Sequence, residues 1–211
     1  MALVDAHTGL QLTYKELDQR INRFSNFLRD ELGIQHGDRI SILAMNSASY
    51  YEILFACGRI GAILNTLNWR LAPPELTYIL QDCAPKVLIY EPVFADAVSE
   101  FRPTLGNAKL IVLDGTDSDA EWSYTRALET GDDQIREVPP LNLDETLAII
   151  YTSGTTGRPK GAQVTFGNFL ANAVGMGRAL DLTSDDINLN TLPTFHIGGL
   201  GLFAGPTFHA G

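Results

Sequence analysis

The residues best equipped for chemistry stand together between positions 152 and 160. Thr152, Ser153, Thr155 and Thr156 offer four hydroxyl donors that carry no charge of their own. Gly154 and Gly157 let the backbone approach a ligand closely and take positive φ. Lys160 adds one mobile positive charge, and Pro159 stiffens the approach to it. Hydroxyls, open backbone N–H groups and one cation in a short loop suit a polyphosphate. They would also stabilise charge growing on a departing pyrophosphate. The spacing differs from the GxxxxGKS or GxxxxGKT phosphate loop, because Lys160 is followed by Gly161.

Other candidates carry weaker chemistry. His196 lies in an apolar run, where a single histidine taken alone reads as a hydrogen-bonded core residue. Asp181, Asp185 and Asp186 read as a solvated loop, with Ser184 or Asp185 capping the next element, and no metal site is assigned. Cys57 and Cys83 have neither zinc-site nor CxxC spacing and read as buried free thiols. His7, His36 and His209 belong to no pattern, and Trp69 and Arg70 read as shaping a helix–strand turn.

The loop needs elements to hold it. Leu147–Tyr151 is a strand by composition, and a helix is expected to begin near Thr165 and run past Leu170. That strand–loop–helix layout would place a helix start against the bound anion. Upstream, Thr13 and Glu16 form a capping box, after which Tyr14, Leu17, Ile21, Phe24 and Leu28 share one helical face, and Gly33 is placed to end the helix. Apolar strands are expected at Arg39–Ala44, Lys86–Tyr90 and Lys109–Leu113, with a short apolar segment at Ala62–Leu64. Helices are expected over Ser49–Ile60, from Pro73, over Phe94–Phe101 and near Trp122–Leu128. Short apolar strands alternating with helices give an α/β fold with mainly parallel sheets flanked by helices. The polar stretch Asp114–Glu145 divides residues 1–145, a first α/β subdomain, from 146–211, the start of a second unit carrying the loop.

The 211 residues are 45% hydrophobic with a formal net charge of −10, enough to bury a core and ill suited to a nucleic-acid partner. The first residues lack a signal-peptide pattern, and no stretch approaches the roughly 20 apolar residues of a membrane span. A cytoplasmic protein is the expectation.

The run from Tyr151 to Gly161 resembles the signature of the adenylate-forming (AMP-dependent synthetase and ligase) superfamily across eleven consecutive positions. Three further segments are similar to that family in the same order: Leu12–Leu17, then Gly61–Asn65 with Leu67–Leu71 and Glu75–Leu76, and Leu192–Leu200. Within the family the chain looks most like acyl-CoA synthetases of the fatty-acid type. The resemblance implies the fold of the large N-terminal domain, here incomplete. It implies that a carboxylic acid attacks ATP to form an acyl-adenylate, and that coenzyme A then takes the acyl group. ATP, Mg2+ and coenzyme A are the implied cofactors and substrates, with aliphatic acids ahead of aromatic ones. Residues 152–157 and Lys160 would bind the ATP phosphates, and His196 would line the acyl pocket.

The family's downstream adenine and ribose segments, and the late lysine of a mobile C-terminal domain, have no match in this sequence. The chain is therefore expected to be the front part of a longer enzyme and inactive alone. Its open sheet edge would be covered by the missing part or by self-association. Two alternatives stand beside this reading: an adenylation domain that loads a carrier-protein thiol, and a truncated non-catalytic phosphate-binding module.

Overall fold

The computed structural model describes all residues except Thr116, Ser118, Ile135, 137–139 and 154–157. In chain order the elements are β1 (Leu3–Val4), β2 (Gln11–Leu12), α1 (Tyr14–Asp30), β3 (Arg39–Leu43), α2 (Ala48–Ile60), β4 (Ile63–Thr66), α3 (Pro73–Cys83) and β5 (Val87–Tyr90). They continue with α4 (Ala95–Phe101), β6 (Lys109–Val112), β7 (Trp122–Ser123), α5 (Tyr124–Thr130), β8 (Thr146–Thr152), β9 (Lys160–Thr165), α6 (Phe166–Ala179) and α7 (Ala204–Ala210).

Seven strands form one sheet in the order β7-β6-β5-β3-β4-β8-β9. Every neighbouring pair is parallel except β8–β9. The central strands are buried on both faces, which explains their unbroken apolar runs. Ile40, Ile42, Leu64, Val87, Ile89 and Ile111 pack with residues of α1, α2 and α5. Their alternates Leu43, Leu88, Tyr90, Leu110 and Val112 pack with α3 and α4 on the opposite face. Each fully buried Ile or Leu contributes roughly 1.5–3 kcal/mol.

The local signals at α1 hold. Thr13 Oγ1 accepts from Glu16 N at 3.2 Å, and Glu16 Oε2 accepts from Thr13 N at 2.8 Å. Gly33 takes φ 66° and lets Ile34 N reach Leu28 O at 2.9 Å, closing the helix. The N-terminus of α2 is capped from a distance. Its own Ser47 makes no capping bond, and Asp5 Oδ2 accepts from Ala48 N at 3.0 Å instead.

Three expectations are corrected. The helix expected from Trp122 begins at Tyr124, because Trp122 and Ser123 extend the sheet beside β6. Ser184 and Asp185 cap no element, since none follows directly, and the turn at Thr183–Asp186 is closed by Asp186, whose Oδ2 accepts from Thr183 N at 2.8 Å and from Thr183 Oγ1 at 3.0 Å. The loop after Tyr151 returns as strand β9 before any helix starts. β8 and β9 join the sheet beside β4, so the loop-bearing residues share a sheet with the first part of the chain.

Candidate active site

The expected phosphate loop is the tip of the β8–β9 hairpin. Thr152 and Lys160 are cross-strand partners, and both are exposed with Ser153. Gly154, Thr155, Thr156 and Gly157 lie outside the described residues. Below the tip, Gly161 faces Tyr151, and a Cβ added there would lie 2.8 Å from Ile149 Cγ2 and 3.2 Å from Tyr151 Cζ. Glycine at 161 thus lets the Tyr151 ring lie across β9. The Tyr151 hydroxyl donates to Asp82 Oδ2 of α3 at 2.6 Å, tying the hairpin base to a helix. Burial, with Asp82 adding to it, pushes the Tyr151 phenol well above its ordinary value, so it stays a proton donor.

The helix start anticipated at the anion is elsewhere. Thr165 caps α6, accepting from Asn168 N at 3.0 Å, but Thr165 pairs with Thr146 at the opposite end of β8 from Thr152. Six residues of strand separate the loop from that helix, so its dipole does not act on a ligand at the tip.

His196 is brought to the same edge of the sheet. The helix after β3 packs on one face and the helix after β4 on the other. Their connections part at the C-terminal ends of these strands, which leaves the crevice where α/β sheets commonly bind ligands. Thr194 and Phe195 occupy it. Thr66 Oγ1, at the end of β4, donates to Phe195 O at 2.8 Å, with Thr66 only 2% exposed. Asn46 Oδ1, just past β3, accepts from Thr194 N at 2.9 Å. β4 is also the neighbour of β8, with Thr66 opposite Ile150. His196, directly after Phe195, therefore stands at the end of the strand next to the one that carries the loop.

The imidazole of His196 is exposed, and its Nδ1 accepts from Gly198 N at 3.1 Å. In the neutral ring that bond puts the proton on Nε2. The chain then makes one π-helical turn over Gly198–Leu202. A Cβ at Gly199 would lie 2.2 Å from Pro193 O, so only glycine permits so tight a turn. Trp69 meets Phe195 edge-on with ring centroids 6.2 Å apart, and the Arg70 guanidinium lies 5.0 Å from the Trp69 centroid and 5.7 Å from that of Phe195. Trp69 and Arg70 thus do more than shape a turn: they wall the crevice.

Sequence reasoning singled out the loop residues and His196 but not strand β9, nor Asn46, Thr66 and Tyr51, whose hydroxyl donates to Gly199 O at 2.9 Å. Their partners are backbone groups far along the chain, and such contacts leave no local pattern. Cys57 and Cys83 are buried and unpaired, and burial raises the Cys83 thiol to about 11, which keeps it protonated. No helix of the described residues is long and apolar enough to cross a membrane.

Comparison with known proteins agrees with this geometry. The profile described as "AMP-binding enzyme" matches residues 1–211. The chain is 37% identical to an indoleacetate–CoA ligase of Aromatoleum aromaticum over 221 aligned positions, covering 99% of this chain and 43% of that protein. Among solved structures it resembles a long-chain-fatty-acid CoA ligase of Rhodopseudomonas palustris, with TM-score 0.86, 32% identity, and coverage of 97% of this chain and 50% of that one. It also resembles the anthranilate CoA ligase AuaEII in complex with anthranoyl-AMP, with TM-score 0.90, 25% identity, and coverage of 96% and 39%. The chain spans about two-fifths of the length of the curated relatives it matches. With the profile matched from end to end and the fold shared with these ligases, the chain belongs to the AMP-binding enzyme family.

Proposed function

We propose that the longer protein to which this chain corresponds activates a carboxylic acid with ATP and passes the acyl group to coenzyme A. A carboxylate oxygen attacks the α-phosphorus of ATP, the bond from that phosphorus to the bridging oxygen breaks, and pyrophosphate leaves. The thiolate sulfur of coenzyme A then attacks the acyl carbonyl carbon, AMP leaves with the oxygen that joined them, and the thiol proton passes to solvent.

In this reading Thr152, Ser153, Gly154, Thr155, Thr156, Gly157 and Lys160 hold the β- and γ-phosphates. Their grip matters most as charge develops on pyrophosphate, which lowers the barrier rather than only binding ATP. His196 lines the acyl pocket. The observation that carries the proposal is the shared sheet edge: Thr152 opposite Lys160 on β8–β9, with the His196 segment held on the neighbouring β4. Magnesium would enter as part of the substrate, MgATP, with its charge carried on the phosphate oxygens.

The acid is drawn from a wider class than fatty acids. The similar ligases are named for aromatic acids and for fatty acids alike, so both kinds are candidates. The remainder of the longer protein, or a second copy, covers the open side of β9 and exposed apolar residues such as Ile187 and Leu189. The test is pyrophosphate release by the full-length protein with MgATP and a panel of fatty and aromatic acids, followed by thioester formation on coenzyme A or a carrier protein. Acid-dependent release is expected. Its absence across the panel would leave only a phosphate-binding module.

A further inference from the structure

The segment around His196 is tied to strands that precede it by more than a hundred residues. Asn46 uses both halves of its amide. Nδ2 donates to Leu192 O at 2.7 Å, and Oδ1 accepts from Thr194 N at 2.9 Å and from Thr194 Oγ1 at 3.1 Å. Thr66 holds Phe195 O from below. On the far side of His196, the Tyr51 hydroxyl donates to Gly199 O at 2.9 Å, and Asn190 Nδ2 donates to the same oxygen at 3.0 Å. The backbone is thus fixed before and after His196, while the ring itself contacts the neighbouring Gly198 N.

We propose that Asn46 and Thr66 are positioning residues for recognition of the acid. They set where His196 stands at the mouth of the crevice, and hence how the acyl group fits, without touching acid or ATP. The inference rests on His196 lining the acyl pocket. Without the Thr66 hydroxyl, the buried Phe195 carbonyl has no other donor among the described residues, and a buried unpaired acceptor is relieved most readily by movement of the segment that bears it. His196 moves with that segment. The phosphate hairpin is held separately, by the β8–β9 ladder and by Tyr151 on Asp82, so the effect falls on the acid and spares ATP.

The experiment uses the full-length protein. Thr66→Val keeps the shape and branching of the side chain, and Asn46→Ala removes both halves of the clamp. Each is expected to raise the KM for the acid about tenfold and to leave the KM for ATP within about twofold. Thr66→Ser should restore the acid KM. In a His196→Ala background, Thr66→Val should add less than about a twofold change, because a residue acting through His196 has nothing left to position. Trp69 packs on Phe195 and gives a readout independent of activity: with Trp122 and any further tryptophan of the full-length protein replaced by Phe, Thr66→Val should shift Trp69 emission to the red.

Equal losses for acid and ATP, a full Thr66 effect without His196, or unchanged Trp69 emission each overturns the proposal. Should Thr66→Val fail to fold, Asn46→Ala at the exposed end of β3 carries the same measurements. Normal pyrophosphate release with an unchanged acid KM removes this proposal alone. No acid-dependent release in the unmutated protein removes the enzymatic reading, and acid recognition by Asn46 and Thr66 with it.

Discussion

Thr152 and Lys160 face each other across the mouth of the β8–β9 hairpin, the last pair in register before the loop. The positive charge is therefore anchored by the ladder at the base of the loop rather than carried on its tip. In the proposed reaction, such an anchored cation would need little reorganisation when pyrophosphate begins to leave.

Lys160→Ala in the full-length protein should lower kcat/KM for ATP by at least about tenfold, measured as ATP–pyrophosphate exchange. The acid KM should change less. A loss under about twofold would place Lys160 away from the phosphates.

Thr165→Ala separates the α6 cap from the phosphate site. Losing the bond from Asn168 N should destabilise the protein by about 1 kcal/mol, read from the denaturant midpoint. ATP use should stay unchanged, since the cap lies at the other end of β8. A matching loss of ATP affinity would restore the helix start to the site.

Glu52 is fully buried on α2, held by Arg20 Nε at 2.7 Å and Arg20 Nη2 at 3.1 Å, and it also accepts from the Tyr124 hydroxyl. Burial, reinforced by Glu52, pushes the Tyr124 phenol well above its ordinary value. Glu52→Ala leaves a half-buried guanidinium and a buried hydroxyl without their partner, and should cost about 3 kcal/mol in equilibrium unfolding. A change near zero would mean that the triad reorganises freely.

Asp5 gives the pH dependence a sign. Partial burial alone would raise its carboxyl, but the backbone N–H groups of Thr8, Ala48 and His7 outweigh that and hold it below the ordinary value. A carboxyl depressed on folding contributes stability that is fully present above the unfolded value, about 3.9. That contribution is lost as pH falls through the lower folded value. Asp5→Asn should flatten this part of the acid limb in thermal melts between about pH 5 and pH 2. Identical acid limbs in the two proteins would show that Asp5 is not coupled to folding.

Much of this was legible because the determinants are local. The Thr13–Glu16 box and Gly33 bound α1, and the doubly buried strands announce themselves as apolar runs. β9 was missed for a physical reason. Lys160–Gln163 are exposed on an edge strand, so they show no apolar alternation to mark a strand between the loop and the helix. The clamp by Asn46 and Thr66 was invisible for another reason: each residue type is ordinary at a strand end, and only the fold brings Leu192, Thr194 and Phe195 to it. His196 stood out through family resemblance, since its own neighbours would suit a core residue.

The pairing of β4 with β8 also governs the order of assembly. Leu64 and Ala148 become partners only after the intervening helices and strands have been spanned, so this ladder closes a far longer loop than the β3–β4 or β5–β6 pairings. Loop closure of that length is slow and is rewarded late. In refolding, the parallel sheet from β3 to β6 should gain hydrogen-exchange protection first. The phosphate hairpin, with the His196 segment that leans on the same strand end, should be the last part to acquire protection.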